Sequence, residues 1–318
     1  MLEKNIIIGD IGGTKSRFVY LTDLKSEFDS KTTRVYLNSR YSSFEEVFSE
    51  YLKEAGIKEK DILFLAVAGP VIKGEALLTN LSWKISAKEI KRKFQLKRIF
   101  LVNDLYALSG CVFLLSKNDL KPIKEALFIK NYPKAFLAPG TGLGLSFLIS
   151  KNPLKILPSE GGHIPFSPQK KEEFEFLKYL KAKNRAQTYE EALSGRGLSN
   201  WYDFYTGKEL LPEEITERAK SGEKEAHRVI KKFFELLGRR CYEISVSLQP
   251  FGGIYLAGGV LEALRDFFEQ REIFEIFFEN FYFFDHMKRL LEKIPIYLIL
   301  HPFPVLLGAL TILHSRLK

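Results

Sequence analysis

The sequence predicts an α/β protein with two similar halves, and three observations lead to this fold class. A glycine-rich turn joins two apolar runs near the start of the chain, and a similar turn follows near residue 140. Between and after them, short apolar runs alternate with amphipathic segments, which is typical of a sheet covered by helices. A chain of 318 residues, 46% of them apolar, is long enough for one large domain or two ordinary ones.

The first turn, Gly9-Asp10-Ile11-Gly12-Gly13-Thr14-Lys15-Ser16, is one residue away from a P-loop, because Thr14 stands where the second glycine belongs. A P-loop leads into a helix, but here the run Arg17–Leu21 predicts a second strand. We therefore expect a β-hairpin tip. Its backbone N–H groups would hold phosphate, and Asp10 would hold Mg²⁺ through water. The alternative is a tight turn with a solvated Asp10.

Apolar periodicity predicts the remaining elements in order. They are a helix over 43–55, strands over 62–68 and 76–78, a helix near 87–94, a strand over 99–102 with a helix after it, strands over 136–138 and 145–149, a mainly helical region from 172 to about 248, strands over 253–256 and 295–300, and a last helix from about 305. The turn Gly140-Thr141-Gly142-Leu143-Gly144 again joins two apolar strands. One triphosphate held between two loops would use both turns.

The charge and composition of the chain limit the kinds of partner that it is expected to bind. The net charge of +9 is spread along the chain, and the densest basic run, 88–98, alternates with apolar residues like a solvated helix face. We therefore expect small anionic metabolites and no nucleic acid. The apolar window 294–313 contains three prolines, which favours a strand, a turn and a helix over a membrane span.

Two further features concern packing and location. The run 277–284 holds six aromatic residues, which predicts core packing or a subunit interface, so a homodimer stays open. Cys111 and Cys241 lie far apart in apolar surroundings and indicate free thiols in a reducing compartment. With no signal-peptide pattern at the N-terminus, we expect a cytoplasmic protein.

Asp104 follows a buried strand, directly after Asn103. A carboxylate at the carboxyl end of such a strand points into the crevice of an α/β sheet, where it could take a proton from an attacking hydroxyl. Asp is also a favoured helix N-cap, so a capping role remains the alternative at this stage.

Glu160-Gly161-Gly162-His163 has the spacing of a metal-binding E-x-x-H helix, but two central glycines make a helix improbable. A rigid loop with one carboxylate and one imidazole suits a polyhydroxylated ligand better. Glu190 is another candidate acceptor, and its alternative is an exposed helix charge.

Seven motifs in order resemble the bacterial glucokinase family, within the hexokinase and actin-like ATPase superfamily. They are Gly9–Thr14, Thr79-Asn80-Leu81-Ser82-Trp83, Val102-Asn103-Asp104, Gly140–Gly144, Leu157–His163, Leu193-Ser194-Gly195-Arg196-Gly197-Leu198 and Leu256-Ala257-Gly258-Gly259-Val260. The resemblance spans residues 6 to 260, and Leu306 to Ala309 fits the closing helix.

The resemblance implies an ATP-dependent and Mg²⁺-dependent kinase for the 6-hydroxyl of glucose. Asp104 would be the general base. The sugar hydroxyls would be bound by Asn103, Asp104, Glu160, His163 and Glu190. ATP would be bound by Gly9, Asp10, Ile11, Gly12, Gly13, Thr14, Gly140, Thr141, Gly142, Gly258 and Gly259, with the last two near the adenosine.

The implied fold is two RNase-H-like domains around a hinged cleft, a small one over 1–108 plus 304–318 and a large one over 109–303. The family usually has a small polar residue where Lys15 stands, and the cysteine-rich zinc motif of the related repressor–kinase family is missing. Three alternatives stay open. One is a kinase for another hexose, such as mannose, fructose or an N-acetylated sugar. The second is a non-catalytic sugar-responsive protein, although the five residues before the first strand leave no room for a helix-turn-helix. The third is a polymerising ATPase.

Overall fold

The structure, a computed structural model, describes residues 4–24, 33–78, 81–126, 129 and 131–317. The chain packs into two compact units. The first comprises Met1–Lys117, Asn152–Pro158 and His301–Lys318, and the second comprises Asn118–Lys151 and Ser159–Leu300. The domain bounds given above stay a prediction.

The described chain contains groups of strands and groups of helices. The strands are β1 (Lys4–Ile11), β2 (Lys15–Asp23), β3 (Arg34–Leu37), β4 (Ile62–Val67), β5 (Val71–Ile72), β6 (Glu75–Leu78), β7 (Trp83–Ser86), β8 (Arg98–Asn103), β9 (Leu120–Lys124), β10 (Lys134–Pro139), β11 (Leu143–Ser150), β12 (Lys155–Ser159), β13 (Ile254–Leu256) and β14 (Ile296–Ile299). The helices are α1 (Phe44–Glu54), α2 (Ala87–Lys93), α3 (Asp104–Ser109), α4 (Lys171–Ala182), α5 (Gly195–Thr206), α6 (Pro212–Lys220), α7 (Lys224–Leu248), α8 (Gly259–Leu264), α9 (Arg271–Phe281), α10 (Lys288–Leu291) and α11 (Pro304–Arg316).

The first sheet has five strands in the order β3-β2-β1-β4-β8. β1 pairs antiparallel with β2 and parallel with β4, which pairs parallel with β8. Helix α1 covers one face, because its apolar residues recur on one side and Tyr51 stacks on Phe18 of β2 at 4.9 Å between ring centroids. The register aligns Ile11 with Val67 and Val67 with Asn103. The carboxyl ends of three parallel strands therefore form one edge, where ligands bind in open α/β sheets.

The second sheet has six strands in the order β12-β11-β10-β13-β14-β9. β10 and β11 form an antiparallel hairpin, and β10, β13 and β14 run parallel, so the order of the first sheet recurs. The 25-residue helix α7 packs closely on α9, since a Cβ on Gly238 would lie 2.2 Å from the carbonyl oxygen of Phe277. Phe277 and Phe281 are fully buried, so core packing accounts for part of the aromatic run.

The predicted elements are largely confirmed, including both hairpins and the strand, turn and helix over 294–313. The short strands β3, β5, β7, β9 and β12 were not predicted, because two to five residues carry little periodic signal. Thr79 and Asn80 of the second motif lie outside the described residues. Within the described part of the chain, no helix is long and apolar enough to cross a membrane.

Candidate functional site

The first glycine-rich turn is the tip of the β1–β2 hairpin. The register ends at Ile11 opposite Ser16, and the N–H of Gly12 donates to the carbonyl oxygen of Lys15 at 2.9 Å. The chain continues as a strand, so the hairpin prediction is confirmed and the P-loop alternative is wrong.

Asn38, which the sequence analysis missed, fastens this turn to the body of the unit. Its Nδ2 donates to the carbonyl oxygen of Gly12 at 2.8 Å, and its backbone N–H donates to the carbonyl oxygen of Thr14 at 2.9 Å. The Ser16 hydroxyl donates to Asn38 Oδ1 at 2.6 Å, and both side chains are buried. Two carbonyl groups of the turn are thereby held on its inner side. No local motif marks Asn38, because it follows the unpredicted strand β3.

Asp10 lies at the end of β1 and is almost fully buried, so the solvated-Asp alternative is wrong. Arg17 stands opposite it on β2, and its Nη1 lies 2.9 Å from Asp10 Oδ2. Burial raises the pKa of the Asp10 carboxyl above its ordinary value, while the charge and hydrogen bond of Arg17 act in the opposite direction. The carboxylate is thus held in one orientation beside the turn.

Asn103 and Asp104 lie at the end of β8, on the carboxyl edge of the parallel strands. The cap of α3 is Asn103, whose Oδ1 accepts from the backbone N–H of Tyr106 at 3.0 Å. The interpretation of Asp104 as the N-cap is therefore wrong, and Asp104 is the first helical residue. Its half-buried carboxylate accepts at Oδ1 from Asn103 Nδ2 at 3.1 Å and from the backbone N–H of Leu105 at 2.8 Å.

In the second unit, the turn at Gly140–Gly142 is the tip of the β10–β11 hairpin, as predicted. Two other segments contact it. The first N–H of α5, from Gly195, donates to the carbonyl oxygen of Gly140 at 2.8 Å. Gly258, before α8, has φ +101°, and a Cβ there would lie 2.4 Å from the carbonyl oxygen of Pro139. Only glycine suits that position. The structure thus places the predicted Gly258 against Pro139, the residue before the 140–142 turn.

Glu160 precedes a single 3₁₀ turn, Gly161–His163, so the predicted rigid loop is confirmed as non-α-helical. A Cβ on Gly162 would lie 2.1 Å from the carbonyl oxygen of Leu143, which explains the glycine where the loop packs on β11. The side chains of Glu160 and His163 are more than half exposed, with 3.9 Å between Glu160 Oε2 and His163 Nε2. Among the described residues, no group of three or more His, Cys, Asp or Glu side chains is arranged to hold a metal ion.

Glu190 lies in a turn before α5, so its interpretation as an exposed helix charge is wrong. Its side chain is 12% exposed. Oε2 accepts from the backbone N–H of Leu143 at 2.9 Å, and Oε1 pairs with Arg196 and lies 4.0 Å from His163 Nδ1. A Cβ on Gly142 would lie 2.3 Å from Glu190 Oε2, so Gly142 makes room for the carboxylate.

The two sheets of the same order, each with a glycine-rich hairpin tip, are the structural features of the sugar kinases in the actin-like ATPase superfamily. The family model described as Glucokinase matches residues 7–316. Glucokinase from Photorhabdus laumondii is 32% identical over 98% of this chain and 98% of its own length, and that from Caulobacter vibrioides is 31% identical over 95% and 93%. The chain therefore belongs to the glucokinase family.

Solved structures agree with this fold. A glucokinase from an Antarctic psychrotroph is 25% identical, with a TM-score of 0.78 over 98% of this chain and 99% of its own. The glucokinase of Balamuthia mandrillaris, solved in complex with glucose, gives a TM-score of 0.81 over 98% and 94% at 22% identity. The α/β class with two RNase-H-like sheets is confirmed.

Proposed function

We propose that this protein transfers the γ-phosphoryl group of ATP to the 6-hydroxyl of glucose, with Asp104 as the general base. The observation that carries the proposal is the position of Asp104 at the carboxyl edge of three parallel strands. Asn103 beside it caps helix α3, so the Asp104 carboxylate is not the cap. Membership of the glucokinase family supplies the substrate class.

The proposed chemistry is in-line phosphoryl transfer, in which positioning and charge neutralisation supply most of the rate. Asp104 accepts the proton of the attacking hydroxyl, and the hydrogen bonds from Asn103 and Leu105 orient its carboxylate. Asn103, Glu160, His163 and Glu190 bind the sugar hydroxyls, since amide, carboxylate and imidazole groups all accept or donate hydrogen bonds.

Residues 9–14, which comprise the end of β1 and the first hairpin tip, and the second tip at 140–142 bind the phosphates of ATP, and Gly258–Gly259 approaches the adenosine. A Cβ on Gly140 or Gly259 would meet no atom within 4 Å, so these positions are open to a ligand, whereas Gly9 lies in β1, where a Cβ would lie 2.8 Å from the Leu65 side chain. Bound Mg²⁺ would neutralise phosphate charge, and Asp10 would hold it through water, a role that suits its fixed carboxylate. Because Cys111 and Cys241 are buried and form no disulfide, we place the protein in a reducing compartment, the cytoplasm.

The test is phosphorylation measured with ATP and Mg²⁺ across glucose, mannose, fructose and N-acetylglucosamine. We expect the highest kcat/KM with glucose, and no turnover of any sugar without Mg²⁺. A higher kcat/KM with another hexose would make that hexose the substrate. No turnover of any hexose would refute the assignment of kinase activity.

A further inference from the structure

Arg196, the second residue of α5, places a cation beside the proposed sugar site. Its Nη2 pairs with Oε1 of Glu190, and its Nη1 lies 3.7 Å from Oε1 of Glu191. The Arg196 side chain is 44% exposed, whereas that of Glu190 is 12% exposed. The guanidinium therefore lies at the surface and reaches inward to a largely buried carboxylate.

Glu190 is hydrogen-bonded to two loops of the second unit, the one that begins at Glu160 and the one at 140–142. Its backbone N–H donates to the carbonyl oxygen of Gly162 at 2.8 Å, in the loop that begins at Glu160. Its Oε2 accepts from Leu143 N–H at 2.9 Å, at the end of the 140–142 turn. The Ser194 hydroxyl, at the N-cap of α5, donates to the Glu190 carbonyl oxygen at 2.6 Å. The main chain of Glu190 is fixed, so the orientation of its carboxylate depends on Leu143 and Arg196.

A carboxylate has about four lone-pair sites, so two partners leave room for a sugar hydroxyl. A largely buried carboxylate that loses one of two partners turns toward a new partner or toward water, because an uncompensated buried charge is costly. The planar fork of Arg restricts that rotation more than a single point charge does. Arg196 is therefore suited to fix the direction in which Glu190 presents its remaining acceptor sites.

We propose that Arg196 is a positioning residue for sugar recognition, which holds the Glu190 carboxylate in the orientation that accepts a sugar hydroxyl. This inference rests on the proposed function, because it requires Glu190 to bind the sugar. It assigns no direct contact between Arg196 and either substrate.

The test is steady-state kinetics of Arg196→Met and Arg196→Lys. Arg196→Met should raise KM for glucose about tenfold, the lower end of what a hydrogen bond to a charged group contributes, with KM for ATP within about twofold of wild type. Arg196→Lys keeps the positive charge but lacks the planar fork, so its KM for glucose should lie between those of wild type and Arg196→Met. Arg271→Met is the matched control, because Arg271 pairs with Glu275 at 2.7 Å on the exposed side of α9, outside the proposed site. It should leave both KM values unchanged.

Deoxyglucose analogues separate positioning from general loosening. One analogue among the 1-, 2-, 3- and 4-deoxy sugars lacks the hydroxyl that donates a hydrogen bond to Glu190. The KM for that analogue should be nearly the same in wild type and Arg196→Met. An equal KM increase for glucose and all four analogues would overturn the proposal, as would a change confined to KM for ATP. Failure of the proposed function is a separate result, because the wild-type protein would then phosphorylate none of these sugars.

Discussion

Asn103 caps helix α3 and donates a hydrogen bond from its Nδ2 to Oδ1 of Asp104 at 3.1 Å. One side chain thus ends the strand, starts the helix and orients the adjacent carboxylate. The same Nδ2 donates to the carbonyl oxygen of Gly69 at 3.2 Å, which ties the end of β8 to the loop after β4.

Asn103→Asp separates the cap from the orientation of Asp104. Asp caps about as well as Asn, so the loss of the hydrogen bond from Nδ2 to Gly69 should dominate and lower the free energy of unfolding by ~1–2 kcal/mol. Aspartate at this position cannot donate to Asp104 and places a second negative charge beside it. We expect kcat for glucose to fall at least about tenfold, since like charges disfavour each other's ionised form. Urea unfolding and kcat, measured together, check this. An unchanged kcat would mean that the Asn103 amide does not orient Asp104.

Asn38→Ala should loosen the first hairpin tip. It removes two side-chain hydrogen bonds and leaves the buried Ser16 hydroxyl and Gly12 carbonyl short of partners, a loss of ~1–3 kcal/mol for each unsatisfied group. If this turn binds ATP phosphates, KM for ATP should rise about tenfold or more while KM for glucose stays near wild type.

The matched control for that variant is Asn280→Ala. Asn280 is also buried and donates to the carbonyl oxygen of Ile276 at 2.9 Å, within α9. It should lower stability without a selective effect on KM for ATP. Equal changes in KM for ATP and for glucose in Asn38→Ala would remove the turn from nucleotide binding.

The Asp10 carboxyl predicts a pH dependence of stability. Its folded-state pKa is raised by burial above that of the unfolded chain, so folding favours the protonated form. Its contribution to stability is complete below the unfolded pKa and is lost as pH rises through the folded pKa. The stability of wild type relative to Asp10→Asn, measured by urea unfolding, should therefore fall as the pH rises above about 4, the ordinary pKa of an Asp side chain. A difference that grows with pH would show that the Arg17 pair outweighs burial.

Gly308 of α11 allows that helix to lie against α3. A Cβ on Gly308 would lie 1.8 Å from the carbonyl oxygen of Ala107, so Gly308→Ala must displace one helix. We expect a loss of stability of ~1–3 kcal/mol, typical of overpacking, and a lower kcat because Asp104 begins α3. Thr311→Ala, on the same helix, removes a buried hydroxyl that has no hydrogen-bond partner among the described residues, and it should leave both quantities near or above wild type. Wild-type stability and kcat in Gly308→Ala would contradict the close packing.

The sequence predicted the parts of the fold that rest on local patterns. A strand after Ser16 distinguishes a hairpin from a P-loop, and that depends only on the residues that follow the turn. The motifs also predicted the second hairpin tip and the non-helical loop before His163, and glycines such as Gly162 and Gly258 lie at close backbone contacts.

Long-range partners could not be read from the sequence. Asn38 reaches Gly12 across 26 residues, and Asp10 pairs with Arg17 only through the strand register. The alternative of a helix cap considered Asp104, whereas the cap is Asn103, since Asn and Asp cap equally well and only geometry distinguishes them. Glu190 was open to interpretation as an exposed charge because its burial depends on how the loops fold.

The most direct test of the account is Asp104→Asn, because it separates a general base from an orienting or structural residue. Asparagine keeps the shape and can still accept from the sugar hydroxyl, but it cannot take the proton. A positioned base contributes roughly 10² to 10⁴ in rate, so kcat for glucose should fall by that factor. Glucose affinity by calorimetry and the free energy of unfolding should stay close to wild type. A kcat within threefold of wild type would contradict the assignment of Asp104 as the base.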